Sequence, residues 1–189
     1  MKIIRELKIP RKFINDFDAF DVLDLSKEEH EIIRNIWYRT KNTNCENLIA
    51  CYDKGKTDIL NDGLYSKVML PKNIVNKKNL KIYHGHTDIS CLSKIDLLKL
   101  SKDNVICVSC VTYNGYVYVV RKRDRSIYSE SEMSDKYDII KNDVANDILM
   151  GKYGTMNMEE MNYVLIHESM LRFARFYEFI IEGGRIDEE

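Results

Sequence analysis

Histidine and proline are scarce in this sequence, and long apolar runs are missing from it. The 189 residues include four histidines and two prolines. No segment approaches the roughly 20 consecutive apolar residues of a membrane-spanning helix. The first residues, MKIIRELKIPRK, also lack the apolar stretch of a signal peptide. We therefore expect a cytoplasmic protein that has no membrane partner.

An excess of charge of either sign is missing as well. The chain has 29 Lys and Arg residues against 30 Asp and Glu residues, which gives a formal net charge of −1. This balance gives no general attraction to nucleic acid, so we do not expect a nucleic-acid partner. The run Arg121-Lys122-Arg123, with Arg125, is the one place where an anionic partner would bind, although such a run is usually a solvated strand end.

The cysteines do not form the even set that a disulfide framework requires. There are five of them, scattered through predicted strands and loops. This pattern is typical of free thiols in a reducing compartment. Cys107 and Cys110 stand three apart in a predicted strand, where residues at that spacing face opposite sides, so the pair indicates core packing rather than a metal site.

The composition is that of one folded domain. Apolar residues make up 44% of the chain and charged residues 31%, and the length suffices for a sizeable core. We find neither an internal repeat nor a linker. The expected fold is therefore a single α+β domain over residues 1–189, with a small mixed sheet flanked by helices.

Apolar periodicity and turn signals predict the elements of this domain. A capping box at Ser26–Glu29 opens the first helix. The dipeptide Asn114-Gly115 predicts a two-residue hairpin turn, and Gly183-Gly184 is expected to end the last helix. The predicted strands are 46–53, 64–70, 80–86, 105–113 and 116–123, and the predicted helices are 27–40, 94–103, 134–150 and 156–182.

Two of the four histidines stand one residue apart in the segment YHGHTDISCLSKID. Because alternate residues of a strand face the same side, His84 and His86 project together, and Gly85 keeps bulk off the opposite face. Asp96, in the first turn of the next predicted helix, is the nearest carboxylate that the loop would bring back. Two histidines and one carboxylate are typical ligands of catalytic zinc and also of non-haem iron.

The same residues have a structural interpretation. Ser93-x-x-Asp96 matches a capping box, in which the Asp96 carboxylate serves the start of its own helix. The spacing alone leaves both interpretations open.

The order of these residues resembles the signature of the JAMM (JAB/MPN) metalloprotease superfamily. The matching motif is His84-x-His86, then six residues, then Ser93-x-x-Asp96. The resemblance implies that the two histidines and Asp96 bind one Zn²⁺ per chain and that Ser93 supports the tetrahedral intermediate. It also implies that Glu46, the first residue of the strand ENLIACYD, is the general base.

The resemblance covers residues 27–123 as a JAMM-like core, related to cytidine deaminases, and leaves 129–184 as a helical C-terminal extension. It implies a hydrolase that cleaves a peptide or isopeptide bond, with substrates such as ubiquitin-like conjugates. The family usually has proline after the second histidine and seven residues before the serine, where this chain has Thr87 and six residues. The alternative is therefore a catalytically inactive JAMM-like module that binds a protein or nucleic-acid partner.

A second resemblance, to PHP-type phosphoesterases, starts from His84-Gly85-His86-Thr87. Those multinuclear sites draw further histidines from later strands, whereas this chain offers only His30 and His167, both in predicted helices. Two further histidines are too few for such a site. His167-Glu168 also begins like a zinc-protease helix, but position 171 is leucine, so we expect a histidine that packs or lies on the surface.

Overall fold

The structure is a computed structural model that describes residues 21–22, 24–53, 55–59 and 70–186. The predicted strand at 64–70 falls almost wholly outside the described residues and stays a prediction. No described helix combines the length and the apolar character that crossing a membrane requires. All five cysteines are free thiols.

The described elements alternate between helices and strands along the chain. The helices are α1 (Lys27–Thr43), α2 (Lys72–Val75), α3 (Lys94–Leu98, extended by a 3₁₀ turn over Lys99–Ser101), α4 (Glu130–Leu149) and α5 (Met158–Phe176). The strands are β1 (Asp21–Val22), β2 (Leu48–Tyr52), β3 (Gly55–Ile59), β4 (Leu80–Gly85), β5 (Val105–Val111), β6 (Tyr116–Arg121) and β7 (Ile180–Arg185).

Within the described residues, these seven strands form one mixed sheet in the order β1-β7-β6-β5-β4-β2-β3. The pairs β1–β7 and β4–β5 are parallel and the other neighbours are antiparallel. The expected α+β class, a single domain with a mixed sheet flanked by helices, is confirmed.

Helix α1 begins where the sequence predicts it. The hydroxyl of Ser26 accepts a hydrogen bond from the Glu29 N–H at 3.2 Å, and the Glu29 carboxylate accepts one from the Ser26 N–H at 3.1 Å. Four apolar residues of one helix face are buried, as their spacing predicts: Ile32, Ile33, Ile36 and Trp37. The helix ends at Asn44, whose left-handed backbone (φ 52°) closes the last turn.

Helices cover both faces of the sheet, so there are two apolar clusters. Residues of β4 at even positions, such as Ile82, pack with helices α3, α4 and α5. Residues at odd positions, such as Tyr83, pack with α1. Cys107 and Cys110 divide between the two clusters, which confirms that this pair packs in the core on opposite faces.

The hairpin between β5 and β6 forms, but its turn is longer than predicted. The Thr112 N–H donates to the Tyr116 carbonyl at 2.8 Å, so the loop contains three residues, 113–115, instead of two. Gly115 takes a left-handed φ of 84°, which a residue with a side chain would adopt only with strain.

The C-terminal region departs most from the sequence-based prediction. The last helix ends at Phe176 and not near Glu182, and Gly183-Gly184 lies inside β7, which pairs with β1 and β6. Between α5 and β7 the chain changes direction at Glu178, whose φ is 55°. The extension at 129–184 is therefore not wholly helical, because its end belongs to the sheet. Strand β3 was also not predicted.

Candidate metal centre

The two histidines lie at the end of β4, in the interior of the sheet. His84 is paired with Leu48 of β2 and with Cys110 of β5, and the His86 N–H donates to the Val111 carbonyl at 2.8 Å. The backbone is thus fixed on both sides of the histidine pair. As the strand period predicts, both imidazoles face the same side, and their Nε2 atoms are 2.8 Å apart. Both residues are buried.

Asp96 reaches the histidines from the start of α3. Its Oδ2 atom lies 3.5 Å from His84 Nε2 and 3.8 Å from His86 Nε2. The same Oδ2 accepts hydrogen bonds from the N–H and the hydroxyl of Ser93, at 3.0 and 2.6 Å. The two interpretations of Asp96 are therefore not exclusive, because one oxygen caps the helix and faces both imidazoles.

The donor set fits a divalent metal ion. One ligand atom from each of His84, His86 and Asp96 lies within 4.8 Å of the others, and all three residues are buried. Among the described residues, no other group of three or more His, Cys, Asp or Glu side chains comes together in this way. Two imidazole nitrogens and one carboxylate oxygen suit zinc and equally suit iron, so the donors do not select the metal.

The surroundings of His86 fix the position of the proton on its ring. Its Nδ1 lies 2.7 Å from the Ser90 carbonyl, which can only accept a hydrogen bond. Nδ1 must therefore carry the proton, and in the neutral ring Nε2 then presents its lone pair to the centre. His84 has no such support within the described chain, since its buried Nδ1 finds no hydrogen-bond partner there.

The charge states of the ligands also suit a cation. Burial, followed by the neighbouring His84, lowers the pKa of His86, so this ring is neutral near pH 7. Burial alone would raise the pKa of Asp96, but His84, Lys99 and His86 outweigh it and hold the pKa well below its usual value. The Lys99 Nζ lies 2.8 Å from Asp96 Oδ1. A metal ion binds the neutral imidazole and the ionised carboxylate, and these two pKa shifts favour those forms.

Glu46 stands beside this centre but is not one of the three grouped residues. It lies two residues before β2, not at the first position of the strand as predicted. Burial is the main cause that raises the pKa of Glu46, and the charges of Asp96 and Asp88 add to it, while His86 lowers it. A half-buried carboxyl group thus lies within electrostatic reach of the centre, and its role as general base stays a prediction.

Ser93 is the N-cap of α3. Its hydroxyl accepts from the Asp96 N–H at 3.3 Å and donates to Asp96 Oδ2. This geometry gives Ser93 a clear structural role in holding Asp96, whereas its catalytic role stays a prediction.

Sequence reasoning missed the loop that supports His86. Asp88 Oδ1 accepts hydrogen bonds from the N–H and the hydroxyl of Ser90, at 2.8 and 2.5 Å, and so fixes the carbonyl that holds His86. The spacing Asp88-x-Ser90 is a recognisable turn signal. Nothing in the sequence indicates that the Ser90 carbonyl meets an imidazole.

The remaining histidines do not join the centre. His30 is exposed on α1. His167 is buried in α5, stacked on Tyr163 with ring centroids 5.4 Å apart, so the expectation of a packing histidine is met. A multinuclear site of PHP type thus gains no ligand from either residue.

The basic run after the hairpin is structural. Arg121 forms ion pairs with Glu29 at 3.0 Å and with Glu182 at 3.3 Å, and Lys122 is buried. Arg123 donates to the Glu178 carbonyl at 2.8 Å. The prediction of a solvated strand end is therefore wrong for Arg121 and Lys122, because Arg121 is ion-paired and the Lys122 ammonium donates to the carbonyls of Lys102 and Ser126.

No family model, no curated protein and no solved structure matches the chain. The likeness to JAMM metalloproteases therefore depends on the site residues and their order, and it stays a prediction.

Proposed function

We propose that this protein is a metal-dependent hydrolase that cleaves an amide bond with an activated water, as JAMM metalloproteases do. The observation that supports the proposal is the buried group His84, His86 and Asp96, with Glu46 at its side. These are the four positions to which the family resemblance assigns metal binding and general base catalysis.

The three grouped residues would hold one Zn²⁺ per chain, since a catalytic zinc site has three protein ligands and one open position. A bound Zn²⁺ would act as a Lewis acid and lower the pKa of water from 15.7 to about 7, which makes hydroxide available at neutral pH. Ser93 and Lys99 would hold the Asp96 carboxylate in place through their hydrogen bonds to its two oxygens.

Glu46 would take the proton of the attacking water and return it to the nitrogen of the leaving amine. A raised pKa suits this role, because a general base works best when its pKa approaches the operating pH. Ser93, by the resemblance, would help to hold the developing oxyanion. Its hydroxyl proton, which is donated to Asp96 Oδ2, would then turn to the oxyanion, while the Ser93 N–H keeps its hydrogen bond to Asp96.

The proposed substrates are peptide or isopeptide amides, including conjugates of ubiquitin-like proteins. The second candidate function is a JAMM-like module that binds a protein or nucleic-acid partner without turnover. One observation favours it: both Asp96 oxygens already accept hydrogen bonds from Ser93 and Lys99, as they would in a carboxylate that serves the fold alone.

Replacement of Glu46 by glutamine tests the catalytic proposal. We expect Glu46→Gln to keep its zinc, because Glu46 is not a ligand, and to lose roughly 10²–10⁴-fold in hydrolysis. Zinc is measured by elemental analysis, and activity by release of a fluorophore from amide-linked peptides and by cleavage of a lysine-linked ubiquitin conjugate.

The matched control is Glu31→Gln, which changes an exposed glutamate of α1 in the same way and should leave activity unchanged. Loss of zinc from Glu46→Gln would show that Glu46 is a ligand and not a base. A zinc-loaded wild-type protein that cleaves neither substrate class would favour the binding module.

A further inference from the structure

A small cavity of about 170 Å³ lies beside the proposed metal centre. One wall is the loop that follows β4, and the other is one face of α5. The α5 residues recur at the spacing i, i+3, i+4, i+7, which places them on one side of the helix. They are Glu159, Asn162, Tyr163 and Ile166.

The cavity shares a wall with the metal centre. Ser90 lines the cavity, and its carbonyl also holds Nδ1 of His86 at 2.7 Å. Asp88 lines it too, and its charge helps to raise the pKa of Glu46. A group bound in this cavity would therefore lie next to the proposed metal centre.

The cavity is lined mainly by apolar side chains and has negatively charged side chains at its mouth. The apolar part comes from Ile89, Cys91, Tyr163 and Ile166, and burial raises the pKa of Cys91 so that its thiol is neutral. Two carboxylates, Asp88 and Glu159, are exposed and lie on opposite walls.

No lysine, arginine or histidine is among the described residues that line this cavity. Within that part of the chain, neither Asp88 nor Glu159 forms an ion pair. Among the described residues, no neighbouring cation thus neutralises the negative charge at the mouth. The ligand that complements an apolar cavity with a negative mouth is a chain of methylene groups that ends in a positive charge.

We propose that this cavity is a substrate subsite for an alkyl cation, the lysine or arginine side chain of a residue adjacent to the cleaved amide bond. The assignment rests on the proposed hydrolase function. The methylenes would pack between the loop and α5, and the terminal cation would lie between Asp88 and Glu159. Helix α5, which is outside the JAMM-like core, would thereby determine substrate specificity.

Helix α5 is well placed for this role because its wall is anchored in the core. Tyr163 lies 8% exposed, and its hydroxyl is 3.2 Å from that of Tyr118 on β6. Val164, the next residue, is fully buried. The wall therefore has a fixed position relative to the sheet that carries the histidines.

A binding experiment tests the cavity without any need for catalysis. The zinc-loaded and the metal-free protein are titrated with n-pentylammonium, and with 1-pentanol as the neutral control, while backbone amide signals are followed by NMR. We expect saturable shifts at Ile89, Ser90, Cys91 and Asn162 with the cation, and weaker shifts with the alcohol. Glu159→Gln and Asp88→Asn should each weaken binding of the cation about 2- to 5-fold, as for the loss of one exposed charge pair.

Glu159→Lys places a cation at the mouth and should abolish the shifts, whereas Glu31→Gln, on α1, should leave them unchanged. Glu159 is exposed on the first turn of α5, so its replacement should not disturb the core. Equal binding of alcohol and cation, or shifts confined to residues outside the cavity, would overturn the assignment.

A cleavage experiment connects the cavity to the reaction. Peptides that carry lysine beside the amide bond are compared with peptides that carry norleucine, its uncharged analogue. We expect a preference for lysine in kcat/KM that Glu159→Lys removes. Hydrolysis with no such preference would overturn the subsite. Cation binding without hydrolysis of any peptide would support the cavity chemistry and overturn the proposed hydrolase function.

Discussion

One carboxylate oxygen of Asp96 both caps α3 and faces the two imidazoles. A carboxylate at the third position of a helix turns back toward the N-cap, and here the ends of the histidine side chains lie in that direction. The cap therefore fixes the carboxylate before any ligand arrives. The sequence indicated both interpretations of Asp96, a helix cap and a metal ligand, but it could not show that one oxygen is placed for both, because that depends on the path of the loop 87–92.

The proximity of His84, His86 and Asp96 was predictable from the sequence, whereas the contacts that support these residues were not. His84 and His86 follow from the strand period, and Asp96 from its place in the next helix. The contact between His86 and the Ser90 carbonyl could not be predicted, since every residue has a backbone carbonyl and its use depends on the fold.

His167 should make stability depend on pH. Burial lowers its pKa to about 4 from the ordinary 6.5, so in this window the unfolded chain binds more protons than the folded one. The free energy of unfolding should fall as the pH falls from about 6.5 toward 4. The contribution of this residue is about 2–3 kcal/mol between about pH 7 and pH 4.5.

Urea unfolding of the wild type and His167→Gln at the two pH values measures this contribution, because the other titrating groups are common to both proteins. The variant should lose less stability on acidification than the wild type does. His30→Gln changes an exposed histidine and should behave as the wild type. Parallel losses in the wild type and His167→Gln would contradict the prediction.

At the scale of elements, Gly85 sets the distance between β4 and α1. A Cβ built on Gly85 would overlap Thr40 Oγ1 and lie 2.9 Å from Thr40 Cβ and 3.0 Å from Ile36 Cγ2. The sequence predicted that Gly85 keeps bulk off the face opposite the histidines, and this prediction is confirmed. The element that packs against Gly85 on this face is α1.

Gly85→Ala should therefore lower stability by about 1–3 kcal/mol, the usual cost of overpacking a core. It should also weaken zinc binding, because relief of the overlap displaces the strand between His84 and His86. Thermal unfolding and a competition assay with a zinc chelator measure the two effects.

Thr40→Ala serves as the companion variant, since it removes the Oγ1 atom that overlaps. The double variant should be more stable than the sum of the two single effects predicts. Strict additivity would show that the Thr40 hydroxyl is not the group that excludes a side chain at position 85.

The elements that carry the site were predicted better than those at the end of the chain. Helix α1, strand β4 and the β5–β6 hairpin each have strong local signals: a capping box, a run of apolar residues and Asn-Gly. Strand β7 has none. Its apolar residues directly continue the pattern of α5, and a short apolar run fits a helix and a strand equally well. Pairing with β6 and β1 in the sheet decides the outcome.

At the scale of the molecule, the sheet separates two different environments. The histidines project toward α3, α4 and α5, whereas Tyr83, between Ile82 and His84, lies on the α1 side and donates to Glu29 at 2.5 Å. The C-terminal helices thus cover the face that holds the proposed metal centre. The sequence could not assign the C-terminal helices to this face. In a sheet covered on both sides, the residues at even and at odd positions of a strand are both buried, so the apolar pattern does not distinguish the two faces.

The metal content of the purified protein tests the proposed centre most directly. After loading with Zn²⁺ and removal of the excess, elemental analysis should find about one zinc per chain in the wild type, as the three-ligand site requires. His84→Ala combined with Asp96→Ala should contain none, while His30→Ala, which alters an exposed histidine, should match the wild type. A wild-type protein without affinity for zinc, or a double variant that binds it equally well, would contradict the metal centre.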